Sequence, residues 1–165
     1  MLKSQIRVSK VKLKIMKNLM KPFLALLLAI TMLSACKKDV QRNNSSNVPS
    51  EFLGRATDIQ DEIALSSRNV SISVWDHGTI DGDIVSVYVN GRKVVDEVTL
   101  DGPDNKFVVN TTLDFNGYNY ILLHAHNEGS ISPNTASLEI NDGTSHTVSL
   151  ESDLLTSGVA ELIVN

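Results

Sequence analysis

The stretch Val85-Ser86-Val87-Tyr88-Val89-Asn90-Gly91-Arg92-Lys93-Val94 decides the fold. Val85, Val87 and Val89 alternate with Ser86 and Tyr88, the period of two of a strand with one buried face. Asn90-Gly91 follows, and both residues tolerate the positive φ that a two-residue hairpin turn requires. A loop of that length sets Val87 opposite Val94, and Val98 and Leu100 extend the second arm.

The same period continues on both sides. Val70, Ile72 and Val74 alternate with Ser71 and Ser73; Phe107, Val109, Thr111 and Leu113 form another such run. Asp114-Phe115-Asn116-Gly117 turns the chain into Tyr118–Ala125, which is apolar on both faces and reads as a central, covered strand. Leu138 and Ile140, the Asp142-Gly143 turn, Val148 and Leu150, and finally Val159–Val164 complete the series. Around Asp61–Leu65 the spacing of Ile59 and Ile63 also fits a short helix, and the strand is preferred. This gives seven or eight short strands between residues 51 and 165, with turn signals at sandwich spacing. The expected fold is an all-β, antiparallel Ig-like β-sandwich, with a small β-barrel as the alternative. No helical period is sustained there, which argues against a parallel α/β sheet.

The first fifty residues differ in kind. Met16-Lys17-Asn18-Leu19-Met20-Lys21 is a basic start, and residues 23–33 form an apolar run too short to span a bilayer as a helix. The start is at Met1 or at Met16. Leu33-Ser34-Ala35-Cys36 resembles the lipobox of type II signal peptides: an aliphatic residue, two small ones, then cysteine. The resemblance implies a signal peptide over residues 1–35, cleavage before Cys36, and lipid on the Cys36 thiol. Residues 36–50 then comprise the attachment cysteine and a polar, flexible tether. The location implied is the cell envelope. Lys37 stands where some bacteria use an acidic residue for inner-membrane retention, so the outer membrane is favoured and the leaflet stays open.

Charge divides at the same cysteine. Seven basic residues and no acid precede Cys36; eight basic residues and all nineteen acids follow it. An acidic mature part repels phosphates, which argues against nucleic acid as a partner. A single cysteine excludes an intrachain disulfide and a cysteine-based zinc site.

Trp75-Asp76-His77-Gly78, Asp81-Gly82-Asp83, Val85-Ser86, Asn90-Gly91 and the run Ala125-His126-Asn127-Glu128-Gly129-Ser130-Ile131-Ser132-Pro133-Asn134-Thr135-Ala136 resemble a family of small secreted or lipid-anchored β-domains of Bacteroidota-type bacteria. The resemblance implies a fold and a location, and carries no activity.

Four candidate sites follow. Asp76, Asp81 and Asp83 are hard oxygen ligands of the kind calcium takes. In a chain of successive antiparallel strands, alternate connections share an end, so loops 76–83, 101–105 and 127–135 should gather. Asp101, Asp104, Asn127 and Glu128 would then join the rim. The competing reading is turn capping by Asp and Asn. An uncompensated cluster should raise the pKa of its own members. His124 and His126 share a strand face and could chelate a metal, with His77 nearby, or be ordinary strand histidines. Trp75, Tyr88, Tyr118 and Tyr120 could form a stacking platform or pack in cross-strand pairs. The edge strands could accept a partner strand.

No nucleophile elbow, His-Glu-x-x-His helix or phosphate-cradling glycine loop occurs, so the catalytic site is expected to be none. The leading expectation is a non-catalytic envelope protein, held to the membrane by lipid on Cys36. Its sandwich would bind an envelope protein or glycan. A calcium-stabilised structural domain is the first alternative and a small hydrolase using the histidines the second.

Overall fold

The computed structural model describes residues 45–165. The expected signal peptide, the expected lipobox residues Leu33, Ser34 and Ala35, the expected attachment residue Cys36 and the start of the expected tether lie outside the described residues. Among the described residues, no helix is long and apolar enough to cross a membrane.

The described residues form a β-sandwich of ten strands: β1 (Glu51–Phe52), β2 (Arg55–Leu65), β3 (Asn69–Asp76), β4 (Ile84–Val89), β5 (Arg92–Thr99), β6 (Phe107–Thr112), β7 (Tyr118–Ala125), β8 (Asn134–Asn141), β9 (Ser145–Ser152) and β10 (Thr156–Val164). One sheet runs β1-β2-β10-β7-β4-β5 and the other β6-β3-β8-β9. Each neighbouring pair is antiparallel except β2 and β10, which run parallel from Ala56 beside Thr156 to Leu65 beside Val164. The all-antiparallel expectation is corrected there: the first long strand lies beside the last.

The inner faces supply the core. Val85, Val87, Val89, Ile121, Leu123, Ala160 and Leu162 meet Val70, Ile72, Val74, Leu138, Ile140, Val148 and Leu150 between the sheets. Full burial of each such Val, Leu or Ile contributes about 1.5–3 kcal/mol relative to exposure.

A second apolar cluster explains why β7 is apolar on both faces. Tyr88, Tyr120, Leu122 and Val159 lie on the outside of the six-stranded sheet, where Val48 and Phe52 cover them. The chain reaches this position early. Ser46 donates its amide to the Tyr118 carbonyl at 2.7 Å, and the Ser50 carbonyl accepts from the Thr57 amide at 3.2 Å. The tether expected to run freely through residue 50 is therefore held from Ser46 onward, because Val48 has an apolar face to cover.

The hairpin has the expected turn, with φ of 50° at Asn90 and 82° at Gly91. Its register differs. Val89 pairs with Arg92 and Tyr88 with Lys93, but Val87 pairs with Val95 and Val85 with Val98. Val94 is an extra residue, so the Val87–Val94 pairing is corrected to Val87–Val95. A second insertion leaves Glu97 at φ 45°, and its amide donates to Ser86 Oγ at 3.0 Å. Such bulges re-aim an edge strand and increase its twist.

The strand directions define two poles. Ala125 pairs with Val85, whereas Ile121 pairs with Val89 and Tyr118 with Ile163. The ends of β3 and β7 and the start of β4 mark a loop pole. The Asn90-Gly91 turn, Tyr118 and the chain's last residues mark a hairpin pole, where Val164 donates to Gly117.

Candidate metal centre

The core pattern itself carries three polar residues to the loop pole. Val70, Ile72 and Val74 face inward on β3, and Asp76 is next in that period. Val85, Val87 and Val89 face inward on β4, and Asp83 precedes them in phase. Ala136, Leu138 and Ile140 face inward on β8, and Asn134 precedes them. Asp76, Asp83 and Asn134 are 2 %, 3 % and 0 % exposed. The sandwich core thus ends in two carboxyls and a carboxamide.

The loops gather as strand parity requires. The Asp76 amide donates to the Asp101 carbonyl at 2.8 Å, and the Leu100 amide to the Asp83 carbonyl at 2.8 Å. Asn127 accepts from the Ile84 amide at 2.7 Å and donates to the Gly82 carbonyl at 2.9 Å. Asp81 is drawn to loop 127–133 by three donors on its Oδ2: the Ser130 amide at 2.6 Å, the Ile131 amide at 2.7 Å and the Ser130 hydroxyl at 3.1 Å. One carboxylate oxygen from each of Asp76, Asp81 and Asp83 lies within 4.8 Å of the others.

The other rim residues do different work. Asp101 folds its own turn, accepting from the Gly102 amide and Asn105 Nδ2, each at 2.8 Å. Glu128 accepts from the Leu154 amide at 3.2 Å, tying loop 127–133 to the β9–β10 turn. Asp104 is exposed. Turn capping is therefore the role of Asp101. Asp76 caps too, accepting from the Gly78 amide at 2.7 Å through Oδ1, but its Oδ2 is buried without a partner.

The electrostatics separate the members. Burial pushes the Asp83 carboxyl up to about 7, and the neighbouring Asp81 and Asp76 charges add to it. Partial burial opposes ionisation of Asp81 as well, but the Ser130 and Ile131 amides outweigh it and hold Asp81 below the usual carboxylate range. Burial and repulsion thus raise Asp83, whereas the donors on Asp81 offset them there. The expectation that the cluster raises its members is corrected for Asp81, because backbone donors intervene.

The histidines do not form a metal centre with His77, which is exposed in the 76–83 loop. His124 is buried, with Nδ1 at 3.2 Å from Ser157 Oγ, and its ring packs edge-on to His126 at 5.3 Å between centroids. His126 Nε2 lies 2.8 Å from Ser86 Oγ, and its Nδ1 lies 3.9 Å from Glu97 Oε1. A serine, a histidine and a glutamate in this order have the connectivity of an acyl-transfer triad. Here Ser86 is fully buried and its Oγ already accepts the Glu97 amide. The set fastens the β4–β5 bulge.

The aromatic platform is corrected. Tyr88 and Tyr120 are buried under Val48 and Phe52, and Trp75 lies on the other sheet with Lys106 Nζ 3.9 Å from its ring centre. The sequence reading missed Asn134 and Gly129. Asn134 was legible from its phase with Ala136 and Leu138. Gly129, at φ 52°, lies against the cluster: a Cβ there would sit 2.5 Å from both Asp81 Oδ1 and Asp83 Oδ1. No protein-family model, curated protein or solved structure matches this chain.

Proposed function

We propose that this chain is a non-catalytic, lipid-anchored envelope protein whose β-sandwich presents its loop pole as an interaction surface. Lipidation at Cys36 rests on the Leu33-Ser34-Ala35-Cys36 pattern and the basic, apolar leader before it, and residence in the outer membrane rests on Lys37 after the cysteine.

One observation supports the choice of pole. The chain joins the domain at Ser46, which bonds to Tyr118 at the hairpin pole. Ten residue steps separate Cys36 from Ser46, and each spans at most about 3.6 Å. An anchor at Cys36 would be tied to the domain at its hairpin pole, and this supports the loop pole as the one presented for interaction. That pole exposes Ile80, Ile131, Leu154 and Leu155, apolar tips around an acidic centre. A partly apolar, acidic surface suits an envelope protein or a glycan better than the anionic membrane itself.

The test is fractionation of cells expressing Cys36→Ser alongside the parent, with palmitate labelling. The variant should lose the label and leave the membrane fraction. Retention of both in the variant overturns the anchor.

A further inference from the structure

The loop pole offers a site that is independent of the anchor. We infer that Asp76, Asp81 and Asp83 bind a calcium ion. The three carboxylates alone do not carry this, because acidic loops commonly solvate in water. The buried, partnerless oxygens do. Asp76 Oδ2 and Asp83 Oδ1 have no hydrogen-bond donor, and both residues are more than nine-tenths buried. An ionised oxygen shut from water without a donor costs several kcal/mol in general, and native proteins pair such groups or give them a cation.

Within the cluster, only a proton shared between Asp81 and Asp83 would relieve Asp83, and nothing there relieves Asp76 Oδ2. The Asp83 carboxyl receives the Thr135 amide, which leaves Oδ1 facing Asp81. Two carboxyls facing each other need a shared proton or a cation between them. No Lys or Arg of the described residues makes an ion pair with Asp76, Asp81 or Asp83. Asn134 adds a second deficit: its Oδ1 and Nδ2 both lack partners, and it stands on the same inner face as Asp76, two residues before the Ala136 that pairs with it.

The surroundings are built for a small guest. Asp81 is aimed by the three donors from Ser130 and Ile131, which use Oδ2 and leave Oδ1 turned to Asp83. Gly129 leaves open the space that a side chain would take from both oxygens. An all-oxygen donor set selects a hard cation, and calcium accepts the irregular geometry and six to eight ligands that three carboxylates plus carbonyls, amide and water can supply. Magnesium demands a stricter octahedron.

The experiment is thermal unfolding of the full chain in detergent micelles, in excess EDTA, in 1 mM calcium chloride and in 1 mM magnesium chloride, with calorimetric titration of calcium. Calcium should raise the midpoint by several degrees over EDTA, as a ligand of the native state does. Magnesium should do less. Asp81→Asn should fold, since Asp81 is half-exposed, and should lose the calcium shift and the binding heat. Asp83→Asn should melt higher than the parent in EDTA, because it removes the repelled charge, and should not respond to calcium. Equal midpoints in calcium and EDTA with no binding heat overturn the site and leave a proton-sharing pair. An equal response to magnesium overturns the assignment to calcium. A full calcium shift in Asp81→Asn overturns this ligand set.

Discussion

Asp142 has almost no exposed side-chain surface, at 1 %, and holds two distant parts of the chain together. Its Oδ2 accepts from the Ser66 amide at 2.5 Å and the Ser66 hydroxyl at 2.8 Å, and its Oδ1 from the Thr144 amide at 3.0 Å. The Ser66 amide is the main reason its carboxyl lies far below the usual carboxylate range, with His146 contributing least. A depressed folded-state pKa contributes stability above the ordinary carboxylate range, and that stability is lost as pH falls through and below it. Asp142→Ala should cost about 2–3 kcal/mol in chemical denaturation at pH 7, because hydrogen bonds to a charged group are lost and the Ser66 amide is left without its acceptor. His124 acts with the opposite charge. Burial, then the Arg55 and His126 charges, push its ring down to about 4. An exposed histidine titrates near 6.5, so from about pH 6.5 to 4 the unfolded chain takes a proton that the folded chain refuses. Stability falls through that window. Asp83, pushed up to about 7, works against it in the absence of cation, gaining stability as pH falls from about 7 toward 4. The difference between the parent and His124→Asn isolates the histidine. Denaturation midpoints at pH 7, 5.5 and 4.5 should show the parent losing more on acidification than the variant; parallel losses would refute the assignment.

Element by element, edges and bulges decide how the sandwich closes. Strand β9 is an edge of the four-stranded sheet, and Gln60 on β2 treats it as a neighbouring strand would: Nε2 donates to the Glu151 carbonyl at 3.0 Å and Oε1 accepts the Glu151 amide at 2.8 Å. Gly158 on β10 permits this approach, since a Cβ there would collide with the Glu151 carbonyl and crowd Gln60. Gln60→Ala should destabilise by about 1 kcal/mol and raise aggregation in light scattering, because it frees an edge that can pair with another chain. The strands themselves were legible from residue types: Asn90-Gly91 marked its turn, the period of two marked β3, β4, β6 and β8, and an apolar run on both faces marked β7. The bulges were legible only in part. Val95 and Val98 are three apart yet both contribute to the core side, which the period of two forbids without an inserted residue. Val94 beside Val95 hid the other insertion, because either valine could face Val87.

Across the whole molecule, the β2–β10 pairing had no local signal. It joins residues a hundred positions apart, and neither strand names its partner by pattern. The three aspartates were legible as hard ligands within one loop, and parity added at this scale that loops 76–83, 101–105 and 127–135 meet at one end. What parity could not give was depth. Asp76 and Asp83 end the inner faces of β3 and β4, whereas Asp101 and Asp104 remain at the surface. The covering of Tyr88 and Tyr120 was hidden for a related reason. Val48 lies in a polar stretch, and a single valine there gives no period to read. Its contact, with the Ser46 bond to Tyr118, sets the chain's entry at the hairpin pole, and this is what supports the proposed outward-facing loop pole. The poles lie about seven residue steps of β7 apart, or about 23 Å. The most direct test of this arrangement uses the lipidated chain in vesicles carrying an acceptor dye on the headgroups, with a donor dye on an introduced thiol. Asn116→Cys labels the hairpin pole and Leu155→Cys the loop pole, both at exposed positions. Transfer to the membrane should be stronger from position 116 than from position 155; equal transfer, or stronger transfer from 155, would contradict an outward-facing loop pole.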